Sequence, residues 1–285
     1  MRGNSYMARA FNSGFSLGGL AKGCLVLANF ALASLIKKWQ MERVAIFRHM
    51  YSGLYFAAKR FTDRKNLAVL AHFGGHDWTF VDVGVAYGLY SKLAIKKYNY
   101  RSVVMYEPDV GCHDYISDFA SNERNVKLLK AAAFDENKTL DFYVCDENIG
   151  ENSIYQSDVH AKTSKVKAVR IADSIFDERD FYQNNLLIKL DIQGAELPAL
   201  RGAVEAFDQF CKIVLIVEVS PSDIALSGAS VDDFITFLTS HNFSLYLGFS
   251  ESAGEFRQQI IRESDIVWPQ GQSDLTQVDI FAVRE

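Results

Sequence analysis

Short apolar runs alternate with helical periodicity along most of the chain. Phe80 to Val83, Ser102 to Tyr106, Asn125 to Leu129, Leu186 to Leu190 and Lys212 to Val217 are brief and rich in β-branched or aromatic residues, as buried strands require. Leu140 to Cys145 and Val166 to Ile171 alternate in the manner of half-exposed strands. Between these runs, Leu89 to Lys97, Val110 to Asn122, Leu197 to Phe207 and Val231 to His241 repeat apolar positions at helical steps. Strand followed by helix, repeatedly, predicts a mostly parallel α/β sheet. The closing runs Ser244 to Gly248 and Val278 to Val283 predict an antiparallel edge pair around the polar excursion Glu251 to Gln277. Asp146 to Lys165 is polar and turn-rich, and its length predicts a loop beside a site rather than a simple connector.

The N-terminal quarter follows another pattern. Val44, Phe47, Met50, Tyr51, Leu54, Tyr55 and Ala58 recur at steps of three and four, which predicts a helix packed by an aromatic stripe. A second short helix, Asn66 to Phe73, is stopped by Gly74 and Gly75. His72 and His76 flank those glycines, which break a continuous helix, and they read as loop histidines rather than metal ligands. Met1 to Gly23 reads as a tail. The apolar segment Cys24 to Ile36, flanked by Lys22 and by Lys37 and Lys38, has 13 residues. A bilayer span needs about 20. A packing helix, a membrane-surface helix and a cleaved signal peptide compete for it. The packing helix is the reading kept, with membrane-surface contact through residues 24–36 left open. The division expected is a tail and helical extension over 1–75 and one ligand-binding domain over 76–285.

Candidate chemistry begins where the first strand breaks into Gly84-x-Ala86-x-Gly88 ahead of a helix. Strand, glycine turn and helix together form a cradle for a nucleotide-type ligand at the carboxyl edge of a parallel sheet. Glu107, followed by Pro108, ends the next strand 23 residues beyond Gly84, where a carboxylate can accept both hydroxyls of a ribose. The spacing is not the G-x-G-x-x-G of dinucleotide folds. Asp82, just ahead of the turn, would repel a pyrophosphate but suits a cationic amino-acid ligand. S-adenosyl-L-methionine, with its sulfonium and ammonium, fits better than NAD. The small residues Ala131 to Ala133 would let an adenine lie flat, which makes Ala133 a cofactor contact along with Asp82, Gly84, Ala86, Tyr87, Gly88, Glu107 and Pro108.

Composition narrows the partners. A net charge of -5 and a pI near 5.7 argue against a bulk polyanion such as nucleic acid. Cys24, Cys112, Cys145 and Cys211 show no C-x-x-C spacing and fit unpaired thiols in a reducing, cytoplasmic setting. Two further strands end in acids, at Asp191 and Glu218. Asp191 is placed to orient the methionine end of the cofactor or to take a proton, and Glu218 is the second candidate for acid–base work. A divalent ion on this pair would lack a third ligand, so no metal is expected.

These stretches resemble a known family. Val81-Asp82-Val83-Gly84-Val85-Ala86-Tyr87-Gly88-Leu89-Tyr90-Ser91, Tyr106-Glu107-Pro108 and Ile188-Lys189-Leu190-Asp191-Ile192-Gln193-Gly194-Ala195-Glu196 are similar to the signatures of FkbM-type S-adenosylmethionine-dependent methyltransferases. Ala199 to Ala203 and Ile216 to Glu218 extend the likeness, which runs from Phe80 to Glu218. It implies a seven-stranded Rossmann-like sheet and, usually, O-methylation of hydroxyls on sugars, glycolipids or secondary metabolites, so a small-molecule or glycan acceptor. Gln193 stands where the family usually has glutamate. A methyltransferase fold kept for binding alone, and a nicotinamide oxidoreductase using Glu107 on the ribose, are the competing readings.

Overall fold

The computed structural model describes residues 28, 32, 45–145, 149–158, 160, 162–176, 185–269 and 276–285. The fully described elements begin with two helices, α1 (Ala45–Thr62) and α2 (Arg64–His72). The strands and helices of the first half follow: β1 (Trp78–Val83), α3 (Leu89–Lys96), β2 (Ser102–Tyr106), α4 (Val110–Ala120) and β3 (Val126–Leu129). Next come β4 (Ala132–Ala133), β5 (Lys138–Val144), β6 (Lys162–Val169) and α5 (Ile171–Phe176). The second half is β7 (Asn185–Leu190), α6 (Glu196–Arg201), α7 (Val204–Phe207), β8 (Ile213–Val219), α8 (Pro221–Leu226) and α9 (Val231–Ser240). The chain closes with β9 (Ser244–Ser250), β10 (Glu255–Ile260) and β11 (Val278–Arg284).

The main sheet has eight strands in the order β10-β9-β11-β8-β7-β1-β2-β3. From β8 to β3 every pairing is parallel, while β11 runs antiparallel to both β8 and β9. Chain order reverses between β1 and β7, so a crevice opens at the carboxyl ends of those two strands. This is the expected Rossmann-like sheet with one strand more. The extra strand is β10, which lies within the polar excursion 251–277 and pairs antiparallel with β9. Its sequence, Glu-Phe-Arg-Gln-Gln-Ile, buries only Ile260, so an outer strand of this kind leaves almost no apolar trace. A second sheet, β4-β6-β5, carries the half-exposed strands.

Strand alternation builds one core on each face of the sheet. Val81, Val83, Leu186, Ile188, Leu215 and Val217 pack with Leu200, Phe207, Phe234 and Leu238 on one side. On the other side Phe80, Met105, Leu187, Val214 and Ile216 pack with Tyr51, Phe56, Leu70, Tyr90 and Ile116. Helices α1 and α2 therefore share a core with the sheet. The helix expected from Leu197 to Phe207 is broken at Gly202, where a Cβ would run into the Phe134 carbonyl oxygen. Cys112 and Cys145 are buried and Cys211 is exposed, and none of the three forms a disulfide. The segment 24–36 lies outside the described residues, except that Ala28 and Leu32 are helical and Leu32 packs against the second core. Among the described residues, no helix is long and apolar enough to cross a membrane.

Candidate functional site

A cleft lies at the carboxyl edge of the sheet, lined from β1, β2, β7 and β8 and covered by α1 and the 149–154 loop. Its centre is the turn after β1. Gly84 has φ +83°, and a Cβ there would run into the Asp191 carbonyl oxygen of the neighbouring strand end. Glycine is thus demanded twice, by conformation and by close approach. Ala86 also adopts positive φ, 50°, a sparsely populated conformation for a residue with a Cβ. What holds it there is Glu107, whose Oε2 accepts the Ala86 N–H at 2.7 Å while its Oε1 accepts the Asp109 N–H at 2.8 Å. Burial pushes the Glu107 carboxyl up to about 8, against the opposing pull of those two donors.

Of the residues expected at the site, Gly84, Ala86, Glu107, Pro108, Ala133, Asp191 and Glu218 line the cleft. Asp82, Tyr87 and Gly88 do not line it, and each has a physical reason. Period-two alternation turns Asp82 to the face covered by α3, where its Oδ2 accepts from Ser91 Oγ at 2.6 Å and Ser91 N at 3.1 Å. Its Oδ1 is buried with no hydrogen-bond partner, and burial raises its pKa. The Tyr87 ring points away into an aromatic cluster, 5.0 Å from Tyr51 and from Tyr55 and 4.6 Å from Tyr115. Gly88 caps α3 in a left-handed conformation against the Phe119 ring. These three serve the cradle from behind.

The other end of the cleft is polar. Burial works to raise the Asp191 pKa, but Lys189, Lys59 and the amide of Gln193 outweigh it and hold the carboxyl down at about 2. Lys189 Nζ is 3.3 Å from Asp191 Oδ2, and Lys59 Nζ is 3.9 Å from the same oxygen. Burial opposes the charge on Lys189, yet Asp191 and Asp82 keep its pKa above the usual lysine value. Gln193, held at φ 52°, donates from Nε2 to Asp191 Oδ1 at 3.2 Å and to Glu218 Oε1 at 3.4 Å. An amide NH2 has two donors and can bridge two carboxylates in this way, whereas a glutamate offers none when ionised and only one when protonated. The loop carrying Gln193 is tied down by Glu196, which accepts from Ile192 N at 3.0 Å and Gly194 N at 2.9 Å.

Several residues here escaped the sequence reading. Lys189 had a signal, since a lysine within an otherwise apolar buried strand calls for a partner. Lys59 had none, because it reads as part of the solvated face of an amphipathic helix. The stretch Asp146 to Lys165 was expected as a loop near the site; two latches put its 149–154 part there, while Lys162 to Lys165 belong to β6. Ser153 Oγ donates to the Gln193 carbonyl at 2.9 Å, and Asn152 Nδ2 donates to Asp109 Oδ2 at 2.9 Å.

The donor set suits S-adenosylmethionine. A carboxylate stands at the tip of β2, small Ala132 and Ala133 form a wall, and paired opposite charges lie beyond the glycine turn. Three solved structures illustrate the likeness. A Pyrococcus horikoshii protein described as a candidate RNA methyltransferase is 12% identical, with 78% of this chain and 82% of that one covered and a TM-score of 0.36. The N-methyltransferase NodS of Bradyrhizobium japonicum, in complex with S-adenosyl-L-homocysteine, gives 11%, 78%, 85% and 0.39. A 23S rRNA methyltransferase, ErmE, gives 13%, 78%, 68% and 0.38. The expected exclusion of nucleic acid is withdrawn; two of these three proteins are described as RNA methyltransferases. Net charge is a sum over the chain and leaves local patches unconstrained. No curated protein matches the sequence. The methyltransferase FkbM domain matches residues 75–245 of the 285, a span that contains the glycine turn, Glu107, the Asp191 loop and Glu218. The chain belongs to the FkbM methyltransferase family and is an S-adenosylmethionine-dependent methyltransferase.

Proposed function

We propose that the protein transfers the methyl group to a hydroxyl of a small molecule, a sugar, glycolipid or secondary metabolite, with the two ends of the cleft dividing the work. The observation that carries this reading is the Asp191–Gln193–Glu218 bridge at the rim, two carboxylates joined by one amide. The bound cofactor supplies a sulfonium methyl, an electrophile that needs no further activation. Glu107 accepts the ribose hydroxyls, Ala133 and Pro108 flank the adenosine, and the Gly84 turn lets backbone approach closely. Asp191 stays ionised throughout the physiological range and receives the ammonium of the methionine end. Glu218 accepts the proton of the acceptor hydroxyl, because an alcohol is a poor nucleophile until its proton can leave. Alignment of acceptor and cofactor supplies much of the remaining acceleration.

The test is incubation of the purified protein with methyl-labelled cofactor and a panel of sugars, glycolipids and hydroxylated metabolites, with amines and RNA in parallel. Label recovered as a base-stable methyl ether supports the proposal. Label confined to amines or to RNA would overturn the hydroxyl acceptor.

A further inference from the structure

A helix outside the family domain reaches the polar end of the cleft. Lys59 belongs to α1, ahead of the matched span, and lines the cleft with its side chain only 14% exposed. Its ammonium is held from behind by Asp63 Oδ2 at 3.1 Å. That carboxylate is itself fixed by hydrogen bonds from Tyr90 Oη at 2.9 Å and Thr62 Oγ1 at 2.6 Å. The Tyr90 ring in turn lies under the Lys189 ammonium, 4.9 Å away. Lys59, Asp63, Tyr90, Lys189 and Asp191 thus form a closed circuit across α1, the turn that follows it, α3 and the end of β7. A buried network of this kind is costly to build, and packed apolar groups would often serve stability as well.

The two lysines on Asp191 differ. Lys189 approaches to 3.3 Å and is 5% exposed, whereas Lys59 stands off at 3.9 Å and is the more accessible. A loose ion pair on a cleft wall can open to admit a ligand that carries both charges on one carbon. An α-amino acid is such a ligand, since its ammonium replaces Lys59 beside Asp191 while its carboxylate meets the lysine. Local charge balance is conserved throughout. We infer that Lys59 binds the carboxylate of the cofactor's methionine end, so that α1 completes the cofactor site. The inference rests on the reading of Asp191 given above.

The experiment is calorimetric titration with S-adenosylhomocysteine and with 5′-methylthioadenosine, which shares the adenosine but lacks the amino acid. Lys59→Met is expected to weaken S-adenosylhomocysteine by about tenfold or more and to leave methylthioadenosine unchanged, as loss of a charge-assisted hydrogen bond implies. Lys59→Arg should retain most of the affinity. Unchanged binding of both compounds by Lys59→Met overturns the inference while leaving the methyltransferase reading intact. Parallel loss of both in Lys59→Met and in Lys59→Arg assigns the residue to the fold and also overturns it. Failure of the unaltered protein to bind either compound would sink the reading of the cleft itself, and this inference with it.

Discussion

At one end of the cleft Glu107 is fixed by backbone donors from its own neighbourhood, Ala86 in the turn it faces and Asp109 two residues on. At the other end Asp191 is fixed by side chains, Lys189 and Gln193 two residues away on either side and Lys59 from α1. The consequence appears in their titration. Where only neutral N–H groups oppose burial, burial prevails and Glu107 is pushed up to about 8. Where two ammoniums oppose it, they prevail and Asp191 is held at about 2. Two buried carboxylates in one cleft are separated in this way by the partners the fold brings to them.

The contrast breaks first at the point where the two ends touch. Gly84→Val puts a side chain into the Asp191 carbonyl and forces a β-branched residue to φ +83°, so a loss above about 3 kcal/mol is expected in denaturant unfolding. Retention of near-native stability would show that the strand ends can part. Next in size, Glu218→Gln should lower kcat by about a hundredfold or more on an accepted hydroxyl, with cofactor affinity preserved. An equal fall in cofactor affinity would place Glu218 with the binding end instead.

Glu107→Gln should weaken S-adenosylhomocysteine by about tenfold, measured by calorimetry. It also tests the titration. The folded value of about 8 lies above the ordinary 4.5, so ionising Glu107 costs stability, and that part of the stability falls as pH rises from about 4.5 to 8. A ribose held by the ionised carboxylate must then bind more tightly as pH climbs toward 8, with release of a proton. The glutamine variant should flatten that dependence, and a wild-type affinity already flat from pH 6 to 8 would contradict it. The smallest effect expected is that of Ser153→Ala, which removes one latch of the 149–154 loop and costs about 1 kcal/mol. Faster amide exchange confined to that loop would sharpen the picture, while a global change would spoil it.

Much of the adenosine end was legible because its signals are local. A strand, a glycine turn and an acid at the next strand tip are read from neighbours in the chain, and Gly84, Ala86 and Glu107 all line the cleft. Asp82 shows how far such reading reaches. Its position beside the turn was right, but which face of the strand it occupies depends on what covers that face, and α3 covers it with Ser91. Strand β10 was illegible because an outer strand needs little apolar surface.

The sequence by itself determined the alternating α/β order, the glycine turn, and the acids at four strand ends, since each is set by local periodicity and backbone sterics. Only the tertiary structure decided which of those acids face the cleft and which stay charged. Some of the partners that decide it lie far off in sequence. Lys59 is 132 residues from Asp191, and Asp279 of β11 sits beside Glu218 in register across 61 residues. A carboxylate's charge depends on what lies within a few ångströms, and a chain folded into a crossed-over sheet chooses those neighbours without regard to their distance along the sequence.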